Sequence, residues 1–117
     1  MSPERFIGYF IDYLRVERGA SPNTIASYET DLRDFLAFLE PLKVRFPDDV
    51  SRDVIRGYVE SLSRRGMSSS SISRHISSLR SFYRFLMAER LIDESPVDGI
   101  EPPKGWARLS DSSLRSE

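Results

Sequence analysis

Apolar residues recur at steps of three and four residues in four segments of the chain. This spacing places them on one face of an α-helix, so it predicts four amphipathic helices. The predicted helices cover about residues 3–18, 22–40, 52–65 and 69–86. The pattern is most regular in the last segment, where alternating steps of four and three connect Ile72, Ile76, Leu79, Tyr83 and Leu86.

Each predicted helix follows a serine whose hydroxyl can accept a hydrogen bond from the free N–H groups of the first turn. These N-cap residues are Ser2, Ser21, Ser51 and either Ser68 or Ser69. Gly66 is expected to end the third helix in a left-handed conformation. Residues 41–50 contain two prolines and no apolar period, which predicts a loop.

No segment shows the alternation of apolar and polar residues that is typical of a strand. The chain is therefore predicted to be all-α, a bundle of four helices. Ser95 and Pro96 could open a short fifth helix before Pro102 and Pro103 end it. A chain of 117 residues fits one domain, which we place at residues 1–104, with a linker or tail over residues 105–117.

The composition indicates a folded chain with 39% apolar, 11% aromatic and 30% charged residues. It contains no cysteine and one histidine, which excludes a disulfide framework and leaves only one histidine and carboxylates to build a zinc site. No cofactor or metal is predicted. Because no apolar run reaches the roughly 20 residues of a membrane span, we expect a cytoplasmic protein without membrane contact.

The net charge of −1 hides a basic stretch over residues 64–88, which holds five arginines, His75 and no acidic residue. On a helical wheel, one outward arc of the fourth helix combines arginines with serines. This arc consists of Ser70, Ser73, Arg74, Ser77, Arg80, Ser81 and Arg84. Arginine and serine side chains suit the phosphates and base edges of DNA. A merely solvated basic face explains the same arc, so both interpretations stay open.

The start of the second helix gathers Ser21, Asn23, Thr24 and Ser27 around free backbone N–H groups. Such a helix start can bind a phosphate. Simple N-capping explains Ser21 and Thr24, however, and is the better interpretation of this feature when it is taken alone.

No catalytic constellation is recognisable. His75 lacks a partner triad, and the tyrosines are expected to pack in the core because most of them lie on the apolar stripes. The paired carboxylates Asp31 and Asp34 are expected on an outer, solvated face. No catalytic residue is predicted. The arginines of the arc are expected to contribute little to stability. For Arg80 a structural role is the alternative, because it borders the apolar stripe and its stem could pack there while the guanidinium pairs with a carboxylate of another helix.

Two stretches resemble the N-terminal core-binding domain, often called SAM-like, of tyrosine recombinases and phage integrases, particularly of the Xer type. The first is residues 21–39, with the start SPNTIASY and a following Asp-Leu pair. The second is residues 66–86, with the motif SLRSFYRFL at its end. Residues 91–104 are similar to the exit of that domain into the interdomain linker. Together the similarity extends over about residues 3–104.

This resemblance implies an orthogonal four-helix bundle that presents its second and fourth helices to the major groove of a recombination site in double-stranded DNA. It also implies a separate C-terminal catalytic domain and recombinase protomers assembled in a synaptic tetramer. The chain would then be a DNA-binding domain without catalysis of its own. The alternative is a helical protein-interaction module that binds an acidic partner through the basic arc.

Overall fold

A computed structural model describes residues 2–100 and contains four α-helices. They are α1 (Pro3–Val16), α2 (Pro22–Leu39), α3 (Arg52–Arg64) and α4 (Ser69–Ala88). All four predicted helices are confirmed, with ends within two residues of the predicted ones, and residues 2–100 contain no strand. The predicted loop is right in outline but begins with a short 3-10 helix, Glu40–Leu42. None of the helices described is long and apolar enough to cross a bilayer.

Three of the four predicted serine caps form as expected. The hydroxyls of Ser21, Ser51 and Ser68 each accept a hydrogen bond from the backbone N–H three residues later, at 3.2 to 3.3 Å. Ser2 has the extended backbone of a cap, but its hydroxyl makes no such bond. Its own carbonyl oxygen instead accepts from the Arg5 N–H at 3.0 Å, so the donor that the hydroxyl would take is already used.

Glycines adopt the left-handed conformation in the turns that follow α3 and α4. Gly66 follows α3 with φ +79°, as predicted, because a residue without a Cβ adopts the left-handed region without strain. The possible short fifth helix does not form, since residues 96–99 form only a turn, closed by the Ile100 N–H and the Val97 carbonyl at 3.1 Å. Gly99 in this turn also has φ +79°, which is not helical. The proposed boundary at residue 104 and the tail 105–117 lie outside the described residues.

Helix α4 runs through the centre of the bundle and contacts the other three helices. Six side chains on the inner face of α4 are at most 4% exposed: Ile72, Ile76, Leu79, Phe82, Tyr83 and Leu86. Phe10 of α1 meets this face, with its ring centroid 5.4 Å from that of Phe82 and 5.4 Å from that of Phe85. The apolar stripe of α4 is therefore the middle of the core.

The connecting segments close the core at its edges. Phe46, in the predicted loop, is buried and stacks on Phe82 at 5.7 Å between ring centroids. It also makes an edge contact with Phe6 of α1 at 5.3 Å. Val97 and Ile100, beyond α4, are buried as well. Residues without helical periodicity thus supply part of the hydrophobic packing.

We expect Leu79→Ala to lower the free energy of unfolding by about 2–5 kcal/mol, because Leu79 is buried in the centre of the bundle and alanine would leave a cavity there. Met87→Ala is the matched control on the same helix, since Met87 is 38% exposed. It should change that free energy by less than about 0.5 kcal/mol. Urea unfolding followed by circular dichroism measures both, and equal losses would contradict the assignment of the inner face.

Candidate nucleic-acid interface

The two helices predicted to face DNA lie side by side and run in opposite directions. Tyr28 of α2 is paired with Ser81 of α4 by a long hydroxyl contact of 3.5 Å. One turn further along α2, Asp31 is bonded to Ser78 and to Arg74, which lie earlier in α4. The start of α2 is therefore next to the second half of α4, and residues from both helices share one side of the bundle.

The arc predicted on α4 faces outward along most of its length. Ser70, Ser73, Arg74, Ser77 and Arg84 are exposed, whereas Ser81 and Arg80 are half-buried. The Ser81 hydroxyl is the group that Tyr28 contacts. Arg84 makes no ion pair with any other residue of the described range 2–100.

Arg80 is tied to the segment that follows α4. Its Nη2 donates to the backbone carbonyl of Ile100 at 2.6 Å. The sequence left a structural role open for Arg80, with a carboxylate of another helix as its expected partner. The structure supplies a main-chain carbonyl instead, so this guanidinium stabilises the packing of residues 97–100 against α4.

At the start of α2, Ser21, Asn23, Thr24 and Ser27 are all exposed. Ser21 Oγ accepts from the Thr24 N–H and donates to Thr24 Oγ1 at 3.0 Å, so capping accounts for these two residues. Asn23 and Ser27 form no side-chain hydrogen bond with the rest of the described chain. Their polar groups are therefore open to a ligand.

The expectation that Asp31 is a solvated surface carboxylate is wrong. Asp31 is only 1% exposed, and it accepts hydrogen bonds from Arg74 Nε at 3.1 Å and Arg74 Nη2 at 2.8 Å. Ser78 Oγ donates to the same carboxylate at 2.7 Å. These bonds replace the lost hydration of the buried carboxylate. The hydrogen bonds between Arg74 and Asp31, together with the negative charge of Asp31, raise the pKa of Arg74.

Asp34 is likewise a structural group rather than a solvated one. It accepts from the Tyr58 hydroxyl at 2.7 Å and from both terminal nitrogens of Arg65 at 3.1 Å. Burial by itself would raise the pKa of Asp34, but the hydrogen bonds from Arg65 and Tyr58 outweigh it, so the pKa lies below its usual value. Asp34 thus connects α2 to α3 and to the turn after it.

Because of these ion pairs, the acid-free stretch over residues 64–88 is less basic in the folded protein than its sequence suggests. Two of its five arginines, Arg65 and Arg74, are neutralised by carboxylates from α2. One signal in the sequence could have revealed this. On the wheel of the second helix, Asp31 lies only about 40 degrees from Phe35, at the edge of the apolar stripe.

Most tyrosines pack as the sequence predicted, and the histidine is also a packed group. His75 is buried, with Nδ1 2.9 Å from the Ser71 carbonyl oxygen and Nε2 3.4 Å from Asp31. Tyr58 and Tyr83 are fully buried, and burial raises the pKa of both phenols. Within residues 2–100 no group of three or more histidine or carboxylate side chains could hold a metal ion.

We expect Asp34→Asn to destabilise the protein at neutral pH and to matter progressively less in acid. The pKa of Asp34 is lower in the folded protein, so its stabilisation is complete above the unfolded pKa of about 3.9 and is lost as the pH falls through the folded value. Urea unfolding at a series of pH values measures this difference between variant and parent.

The control for this pH series is Asp53→Asn, because the Asp53 side chain is 92% exposed. It should change the free energy of unfolding at neutral pH much less than Asp34→Asn does, because an exposed ion pair contributes little to stability. A destabilisation by Asp34→Asn that stayed constant down to the most acidic pH would contradict the assigned role of the ionised carboxylate.

The chain matches a family model and is similar to bacterial tyrosine recombinases. The family model described as phage integrase, N-terminal SAM-like domain, matches residues 7–90. Tyrosine recombinase XerD of Oceanobacillus iheyensis is 42% identical over 109 residues, which is 92% of this chain and 37% of the relative. XerD of Chlorobaculum tepidum is 42% identical over 108 residues, 92% of this chain and 35% of the relative.

Tyrosine recombinase XerC of Anoxybacillus flavithermus is 39% identical over 98 residues, which is 84% of this chain and 33% of the relative. The chain thus spans about a third of the length of the curated relatives it matches. No solved structure is significantly similar to it.

Proposed function

Because the chain belongs to the phage integrase N-terminal SAM-like domain family, we propose that it is the DNA-binding domain of a site-specific tyrosine recombinase. The observation that carries the proposal is the side-by-side placement of α2 and α4. The contacts of Tyr28 with Ser81 and of Asp31 with Ser78 bring the open polar start of α2 beside the outward arc of α4.

The proposed DNA surface combines the residues of both helices. It contains Ser21, Asn23, Thr24, Ser27, Ser70, Ser73, Arg74, Ser77, Arg80, Ser81 and Arg84. Arg84 is its freest cation, whereas Arg80 lies at its edge and is held by the Ile100 carbonyl. The serines are short, so they allow a helix to approach the floor of a major groove while their hydroxyls bind phosphates or base edges.

The further partners of the domain are proposed from the family. The chemistry of strand exchange is assigned to a catalytic domain, C-terminal to this one, in the full-length recombinase. Both domains would clamp the recombination site between them, and recombinase protomers would meet in a synaptic tetramer. In that arrangement this domain supplies DNA affinity and orientation, and no residue of it is assigned a catalytic role.

We expect the domain to bind a short DNA duplex weakly and with a strong dependence on salt. About three to five phosphate contacts give a slope of log K against log salt concentration near −3 to −4.5, because each contact releases condensed counterions. Fluorescence anisotropy titrations at several salt concentrations measure this slope. A slope of zero would contradict DNA binding, and salt-tolerant binding of an acidic protein would favour the interaction module instead.

Arg84→Ala should weaken DNA binding without affecting the fold. Arg84 is exposed, so its loss should change the free energy of unfolding by less than about 0.5 kcal/mol. Loss of one phosphate contact should make the salt slope shallower by about 1. Arg15→Ala is the matched control, because Arg15 is an exposed arginine of α1, outside the proposed surface. Equal effects of both variants on binding would exclude a specific role for α4.

A further inference from the structure

We propose that Asp31 is a positioning residue for DNA binding: it holds the Arg74 guanidinium so that the unused N–H edge of that group meets a phosphate or a guanine edge. This inference rests on the proposed function, because it concerns the same surface. Asp31 itself is buried and does not reach the DNA.

The geometry leaves part of the guanidinium available. Arginine has five N–H donors in a rigid plane. Asp31 accepts from two of them, on Nε and on Nη2, and three remain. None of those three donates to another group within the described chain, and the Arg74 side chain is 53% exposed. The bound edge thus faces the bundle and the other donors face solvent on the proposed DNA surface.

The carboxylate that orients Arg74 is itself held in place. Ser78 Oγ donates to Asp31 Oδ2 at 2.7 Å, and His75 Nε2 lies 3.4 Å from Oδ1. Both carboxylate oxygens of Asp31 are engaged and its side chain is buried, so its position is fixed. It therefore restricts the long Arg74 side chain, which would otherwise sample many rotamers. Ordering a flexible side chain before binding lowers the entropy cost of the contact.

This arrangement makes a prediction that runs against simple electrostatics. The Asp31–Arg74 pair is neutral, so the pair contributes geometry to DNA binding rather than net charge. Removing a carboxylate beside a DNA surface should tighten binding if only charge matters. If Asp31 positions Arg74, the same substitution should weaken binding. The direction of the change therefore distinguishes the two mechanisms.

The test is Asp31→Asn, measured by anisotropy on a DNA duplex at fixed low salt. The asparagine amide offers one acceptor and would set its NH2 against the guanidinium, so the two-point bond is lost. We expect affinity to fall about 10-fold, the size of one oriented charged hydrogen-bond contact. Binding as tight as that of the parent, or tighter, would overturn the proposal.

Glu29→Gln is the matched control for the charge change. Glu29 also lies on α2 and also accepts two hydrogen bonds from an arginine, Arg33 Nε at 3.1 Å and Nη2 at 3.0 Å. Within the described residues, Glu29 forms no hydrogen bond with α4. The affinity of the Glu29→Gln variant for DNA should equal that of the parent or exceed it. A loss of affinity as large as that of Asp31→Asn would contradict a specific role for Asp31.

A double-mutant cycle separates positioning from general damage to the fold. In an Arg74→Ala background there is no guanidinium to orient, so adding Asp31→Asn should cause no further loss of affinity. A second loss of similar size would assign Asp31 to the fold alone. Circular dichroism at the assay temperature establishes that each variant is folded.

Arg74→Lys covers the case in which Asp31→Asn fails to fold. Lysine keeps the charge, but its single ammonium cannot bind the carboxylate at two points and present a second edge. The positioning role predicts binding within about twofold of Arg74→Ala. Binding like that of the parent would overturn the proposal. A parent protein that shows no salt-dependent DNA binding would instead overturn the proposed function, so the two failures are distinguishable.

Discussion

The buried carboxylate of Asp31 is the interaction on which the arrangement of the proposed surface depends. A carboxylate at 1% exposure is tolerable only when hydrogen bonds replace its lost hydration, and here Arg74 and Ser78 of α4 supply them. These directional bonds set α2 against α4 at one register, whereas apolar packing alone would permit small shifts. Asp34, one turn later in α2, is a second carboxylate with hydrogen bonds to other elements, and it connects α2 to Arg65 and Tyr58.

The same pairs change the electrostatic character of the protein. A stretch with five arginines and no acid suggests a strongly basic surface. In the folded chain two of these arginines are matched by carboxylates from α2, and Arg80 is bonded to the Ile100 carbonyl. The surface is therefore better suited to oriented hydrogen bonds than to a large positive potential, which agrees with the weak binding expected of one domain.

The hydrophobic core explains why this surface can be rigid in so small a domain. Helix α4 is central, so its inner face is covered by three helices and its outer arc remains open. Phe46, Val97 and Ile100 close the core from segments without helical structure. The bond from Arg80 to Ile100 ties the last of these segments to α4. The helical periodicity of α4 thus places its apolar side chains on the inner face and its polar side chains on the outer arc.

The sequence by itself determined the four helices, three of their serine caps, the inner face of α4 and the family resemblance. These features depend on residues within a few positions of one another, so periodicity and capping chemistry report them directly. Only the tertiary structure decided the roles of Asp31, Asp34, Arg80 and Phe46. Their partners lie 43 positions away for Asp31 and Arg74, and 31 for Asp34 and Arg65. A helical wheel drawn for one helix cannot show an acid that another helix supplies, because that meeting is set by how the helices pack.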